Sequence, residues 1–66
     1  MKSAYILTYP DPATTDDLAE YIHYAIDISR YENSWYWYRV VIDGVLMLQF
    51  MIEDPDMAIQ FRLRFG

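Results

Sequence analysis

The stretch that decides the fold is Trp35-Tyr-Trp-Tyr-Arg-Val-Val-Ile-Asp-Gly-Val-Leu-Met-Leu-Gln-Phe-Met-Ile52. Two runs rich in aromatic and β-branched residues flank Asp43-Gly44, a pattern typical of a β-hairpin with a tight turn. The dipeptide suits a two-residue type I′ loop, and it also suits a three-residue loop with Gly44 in the left-handed conformation. The choice matters because a register shift of one residue moves every side chain to the opposite face.

The three-residue loop is favoured because it gathers the aliphatic side chains of the hairpin on one face. That face would carry Tyr36, Tyr38, Val40, Leu46, Leu48 and Phe50. The opposite face would carry Trp35, Trp37, Arg39, Val41, Met47, Gln49 and Met51. Both registers leave two largely apolar faces, so one apolar face is expected to remain after the core is filled.

The segments before the hairpin predict a strand and then a helix. Ala4–Tyr9 is rich in β-forming residues and is followed by two prolines, which cannot continue a strand ladder. Thr14 can cap a helix with Asp17 at the third helical position, close to a capping box. The apolar spacing that begins after this cap is helical and is expected to end near residues 29–31.

The periodicity of this helix predicts one apolar and one polar face. The apolar face would hold Leu18, Tyr21, Ile22, Ala25, Ile26 and Ile28, and the outward face Glu20, His23, Tyr24 and Asp27. Glu20 and His23 stand three residues apart, a spacing that can share a cation in multi-helix metal proteins. A single helix with its ligands in water is expected to present a solvated acidic face instead, so no metal is predicted.

The last segment has sequence features of both a helix and a strand. Asp54, Pro55 and Asp56 form a good helix start, with a cap, a proline at the first position and an acid in the first turn. Residues 59–65 nevertheless alternate strictly between apolar and polar, as a half-buried strand does. A short helix over residues 55–65 and a fourth strand are both compatible with the pattern.

The end of the chain, Phe50-Met-Ile-Glu-Asp-Pro-Asp-Met-Ala-Ile-Gln-Phe-Arg-Leu-Arg-Phe-Gly66, resembles a group of very short accessory proteins of tailed bacteriophages. The resemblance covers the hairpin and the tail, residues 35–66, and extends to residues 1–34 only as a strand followed by a helix. It implies a β-α-β-β-α domain whose last segment is a short helix, and a phage context. With the Asp54-Pro55 cap, it favours helix for the tail.

These elements together predict a single α+β domain over residues 1–66. The sheet is expected to be three-stranded and antiparallel, with one amphipathic helix packed on it and a short C-terminal helix. A chain of 66 residues allows one small core. The absence of cysteine excludes disulfides and thiolate zinc sites.

The composition is unusually apolar for so short a chain. Hydrophobic residues make up 55%, including 7 tyrosines, 3 phenylalanines and 2 tryptophans. A chain of this size buries only about 60% of its unfolded surface, so some of these side chains are expected to stay exposed. No uninterrupted apolar run is longer than the four residues of Val45–Leu48, too short to cross a membrane. A cytoplasmic protein is predicted, in the host cytoplasm if it is phage-encoded.

The sequence carries no catalytic or cofactor-binding signature. The one histidine, His23, lies on the outward helix face, no cysteine is present, and two glycines cannot build a phosphate-binding loop. We therefore predict a protein that is not an enzyme and takes no cofactor.

The expected function is protein binding, because Trp, Tyr, Met and Arg are enriched at protein interfaces. The predicted interface is the hairpin face that carries Trp35, Trp37, Arg39, Val41, Met47, Gln49 and Met51, and a homodimer through this face is expected. Two alternatives are single-stranded nucleic-acid binding by aromatic stacking and acidic mimicry of DNA. The net charge of −5 opposes the first alternative and is low for the second.

Overall fold

A computed structural model describes residues 4–12 and 14–66. The elements are β1 (Tyr5–Pro10), α1 (Thr15–Ile28), β2 (Trp35–Ile42), β3 (Val45–Ile52) and α2 (Pro55–Phe65). The strands form one antiparallel sheet in the order β1-β3-β2, with β3 in the centre. The predicted α+β fold with the order β-α-β-β-α is confirmed. The tail is a helix, so the alternative of a fourth strand is wrong.

The hairpin turn has two residues, not three. Ile42 pairs with Val45, and both Asp43 (φ 51°) and Gly44 (φ 78°) have the positive φ of a type I′ turn. The favoured three-residue register is therefore wrong, and the two-residue register is the one observed. A type I′ turn matches the right-handed twist of its flanking strands, which gives the two-residue loop its advantage.

The sheet has a helix side, on which both helices pack, and an opposite side that we call the outer face. The strands turn these side chains to the helix side: Tyr5, Leu7, Tyr9, Trp35, Trp37, Arg39, Val41, Leu46, Leu48, Phe50 and Ile52. The largest fully buried side chains of the core are Phe50, Phe61, Leu48, Ile52 and Met57.

Aromatic rings fill the space between the sheet and the helices. Phe50 of β3 lies with its ring centroid 4.6 Å from that of Phe61 of α2. Tyr21 of α1 lies 4.3 Å from Phe65, also by ring centroids, and 5.4 Å from Tyr9 of β1. Each large ring buries much apolar area. The aromatic cluster therefore fills the core of this short chain, for which short aliphatic side chains would be too small.

The predicted start of α1 is confirmed. Thr14 caps the helix, and its Oγ1 accepts a hydrogen bond of 3.1 Å from the backbone N–H of Asp17. The two faces differ from the prediction at two positions. Tyr24 turns inward, with its ring 5.5 Å from that of Phe65, and Ile26 is exposed. Tyr24 faces inward because α2 packs beside α1 and provides an apolar surface for its ring.

The predicted start of α2 is also confirmed. Asp54 caps the helix by accepting a hydrogen bond of 3.1 Å from the backbone N–H of Asp56, and Pro55 occupies the first turn. Arg30, just beyond α1, reaches Asp54 at 3.4 Å and Asp56 at 2.6 Å. Apolar and polar residues alternate along residues 59–65, a pattern that does not follow the helical repeat. Ile59 and Leu63 therefore lie exposed on α2.

Candidate interaction surface

The outer face of the sheet is uncharged. Three residues of β1, four of β2 and four of β3 point to it: Ile6, Thr8, Pro10, Tyr36, Tyr38, Val40, Ile42, Val45, Met47, Gln49 and Met51. None of these side chains is charged, although 23% of the chain is. An uncharged, mostly apolar sheet face of this kind is typical of an association surface.

A polar row crosses the middle of the outer face. The hydroxyl of Tyr38 donates to Gln49 Oε1 at 2.6 Å, and Gln49 Nε2 donates to Thr8 Oγ1 at 3.0 Å. These bonds join the three strands and pair the Tyr38 O–H and one Gln49 N–H, which lowers the cost of covering the row with a partner.

Apolar side chains lie on both sides of this row and remain accessible. Tyr36 is 57% exposed, Ile6 55% and Val45 56%. The ring of Tyr36 lies 6.1 Å from that of Tyr38, so the two rings form a continuous aromatic patch on β2. Both helices pack on the opposite side of the sheet, which leaves this face open to a partner.

The structure divides the predicted interface between the two sides of the sheet. Met47, Gln49 and Met51 lie on the outer face, as members of one surface. Four residues expected beside them face the helix side instead: Trp35, Trp37, Arg39 and Val41. The prediction that all seven share one face is wrong, because the two-residue turn shifts β2 by one position relative to β3.

The four displaced residues mostly have partners within the chain. The ring of Trp35 lies 6.4 Å from that of Phe50 in the core. Arg39 Nε lies 2.8 Å from Asp11 Oδ1, and its guanidinium carbon lies 5.8 Å from the ring of Trp37. Val41 is 64% exposed near the hairpin tip.

Eight of the eleven outer-face residues were missed by sequence reasoning: Ile6, Thr8, Pro10, Tyr36, Tyr38, Val40, Ile42 and Val45. The signal that could have found the five in the hairpin is Asp43-Gly44, since Asp-Gly at the centre of a two-residue loop specifies the pairing of the whole hairpin. Ile6 required the pairing of β1 with Met51 of β3, which is a contact between distant parts of the chain.

Ion pairs neutralise part of the acidic surface. Besides the pairs of Arg30 and Arg39, Arg64 Nη2 lies 3.0 Å from Glu20 Oε1. The hydrogen bonds to Asp56 and Asp54 raise the pKa of Arg30 above its usual value. Within residues 4–12 and 14–66, no group of three or more His, Asp or Glu side chains is placed to hold a metal ion. Three acidic side chains, Glu20, Asp54 and Asp56, thus face arginines.

Two tyrosines of the core have perturbed acidity. Burial raises the pKa of Tyr9, and the neighbouring Tyr21 adds to that rise. Burial also raises the pKa of Tyr21, assisted by the nearby carboxylates Asp17 and Glu20. Both phenols therefore stay neutral throughout the physiological range.

A depression of about 750 Å³ lies where the loop before β2 meets the start of α2. Two of its polar side chains form structural bonds: Ser34 Oγ donates to the carbonyl of Tyr31 at 2.7 Å, and Asp54 caps α2. A nucleophile needs a base within hydrogen-bond distance, and Ser34 has a carbonyl there instead. These two bonds stabilise the loop before β2 and the start of α2.

Comparison with known proteins gave no family model, no curated protein and no solved structure that matches the chain. In the part of the chain that the structure describes, neither helix is long and apolar enough to span a bilayer.

Proposed function

We propose that this chain is a non-enzymatic protein-interaction module that associates through the outer face of its sheet and forms a homodimer. The observation that supports the proposal is the absence of charge from a three-stranded face on a chain with a net charge of −5. A charged side chain on this face would cost little in water, so its uncharged character is explained by burial against a partner.

A second copy suits this face because a two-fold axis pairs one surface with itself. Two uncharged faces bring no like charges together, although both copies are acidic elsewhere. The dimensions favour a weak dimer: strands of eight residues and three strands abreast span about 26 Å by 14 Å. This is roughly 400 Å² in projection, so the buried area falls at the low end for specific interfaces.

Sedimentation equilibrium tests the dimer directly, at protein concentrations from about 1 µM to about 500 µM. The wild-type chain is expected to move from monomer toward dimer as concentration rises. Tyr36→Lys, which places a charge on the outer face, should remain monomeric. The matched control is Val41→Lys, a similarly exposed position of the same strand on the helix side, and it should dimerise like the wild type.

A dimer that survives Tyr36→Lys, or one that Val41→Lys disrupts equally, would contradict the proposed surface. Circular dichroism of both variants must show the native spectrum, so that loss of association is separated from loss of fold.

The resemblance to phage accessory proteins supports a further step, in which the module binds and modulates a host or phage protein. A partner bound by the outer face should be retained by immobilised wild-type and Val41→Lys chains and lost with Tyr36→Lys. Retention by all three chains would place the binding elsewhere on the molecule.

Single-stranded nucleic-acid binding remains the second candidate, favoured by the ring pair of Tyr36, which is exposed, and Tyr38, which is partly buried. The two tryptophans expected to stack bases face the helix side, and Arg39 is paired with Asp11. Titration of a fluorescent oligothymidine at low salt separates the candidates. Binding that weakens with salt and with Tyr36→Ala would favour nucleic acid, and no binding would leave the protein partner.

A further inference from the structure

A narrow groove runs between the edge of the sheet and the second helix. Its volume is about 210 Å³, and it is lined by three consecutive residues of β1 and one face of α2: Tyr5, Ile6, Leu7, Pro55, Ala58, Ile59 and Arg62. Three consecutive strand residues point to alternate sides of a sheet, so a groove that touches all three follows the strand edge. The volume suits side chains better than a drug-sized ligand.

The edge of β1 has backbone groups available for another strand. The N–H of Asp11 donates to the carbonyl of Leu46 at 3.3 Å, which extends the ladder between β1 and β3. Bonded positions alternate in an antiparallel ladder, so Tyr5, Leu7 and Tyr9 bond to β3. Ile6 and Thr8 then direct their N–H and C=O groups to the open edge of the sheet.

Arg62 gives the groove a positive charge. Among the arginines, Arg30, Arg39 and Arg64 form ion pairs, whereas Arg62 forms none with the residues that the structure describes. Its side chain lies on the groove-lining face of α2, near a strand edge on an otherwise acidic molecule. An arginine in this position complements a carboxylate of a partner.

We propose that the groove binds an extended peptide segment of a partner protein, which adds to the open edge of β1 as a fourth strand. The segment bonds to the backbone of Ile6 and Thr8, places an apolar side chain in the groove, and sets a carboxylate against Arg62. Recognition by strand addition takes affinity from the backbone bonds and specificity from the side-chain pockets. The proposal concerns a surface along the sheet edge and does not require the outer-face dimer.

The test starts with selection from a displayed library of random peptides of about ten residues, a length that covers a short edge strand. Peptides that alternate β-branched or aromatic residues with polar ones, and carry an acidic residue at one fixed position, are expected. A synthetic copy of the strongest peptide is then titrated into the ¹⁵N-labelled protein. The amide signals of residues 5–9 and 56–62 should shift more than those of β2.

Two variants separate the backbone contribution from the charge contribution. Ile6→Pro removes an N–H from the open edge without touching the ladder to β3, and it should weaken the peptide at least tenfold. Arg62→Glu should weaken it by a similar factor, and a peptide with lysine at the acidic position should recover binding to that variant. Arg64→Glu changes the net charge equally on the same helix and should bind the original peptide normally.

The proposal is overturned if no peptide is enriched or if the selected peptide binds both variants as tightly as the wild type. It is also overturned if the largest shifts belong to β2 and not to β1 and α2. Circular dichroism shows whether each variant is folded. The charge-swapped peptide with Arg62→Glu gives a gain of binding that misfolding cannot produce.

Discussion

At the scale of the residue, Tyr9 is the unusual member of the core. Its side chain is buried, and its hydroxyl finds no hydrogen-bond partner among the described residues. A buried hydroxyl without a partner loses its bonds to water and gains none in return. Tyr9→Phe removes only that hydroxyl and keeps the ring contacts, so we expect the free energy of unfolding to rise by roughly 1 kcal/mol.

Urea unfolding of the variant measures this change. The control is Tyr24→Phe, which removes a hydroxyl that donates to the carbonyl of Gln60 at 3.4 Å and should leave stability the same or slightly lower. A loss of stability in Tyr9→Phe would mean that the hydroxyl is satisfied in solution.

The raised pKa values of Tyr9 and Tyr21 predict a dependence of stability on alkaline pH. Above about pH 10 the unfolded chain loses phenolic protons that the folded chain keeps, so the free energy of unfolding falls as pH rises. Below that pH both states hold the protons, and no contribution is expected. Denaturant unfolding between about pH 8 and pH 11 checks the slope, which the double variant with Phe at both positions should reduce.

At the scale of the element, the hairpin shows what local sequence can and cannot specify. The bounds of β2 and β3, the Thr14 cap and the Asp54 cap were predicted correctly, because each depends on residues within one turn or strand. The register was not, since Asp43-Gly44 satisfies two loop lengths. The pairing of β1 with β3 and the packing of both helices decide which face is buried, and these contacts join distant parts of the chain.

The type I′ turn gives a prediction at this scale. Gly44 has a φ of +78°, and a Cβ placed there would meet no atom within 4 Å. The cost of Gly44→Ala is therefore conformational alone, and we expect a loss of about 1 kcal/mol in the free energy of unfolding. Gly44→Asn, which tolerates the left-handed region better, should lose less. Equal stability of all three chains in urea would contradict the type I′ geometry.

At the scale of the whole molecule, the apolar residues fall into two groups, one that forms the core and one that forms the outer face. The phenylalanines and three of the tyrosines, Tyr9, Tyr21 and Tyr24, fill the space under the helices. The tyrosines and methionines of the hairpin lie on the outer face. The sequence correctly indicated that one apolar face would remain, but only the register shows that the tryptophans belong to the covered side.

This division predicts that stability depends on concentration. If two copies bury their outer faces together, dimer formation stabilises the folded state by mass action, and the melting temperature rises with protein concentration. Tyr36→Lys should melt at one temperature across about 5 µM to 500 µM, whereas Val41→Lys should show the wild-type increase. A wild-type melting temperature that stays constant over this range would show that the outer face is open in the free protein and that its partner is another chain.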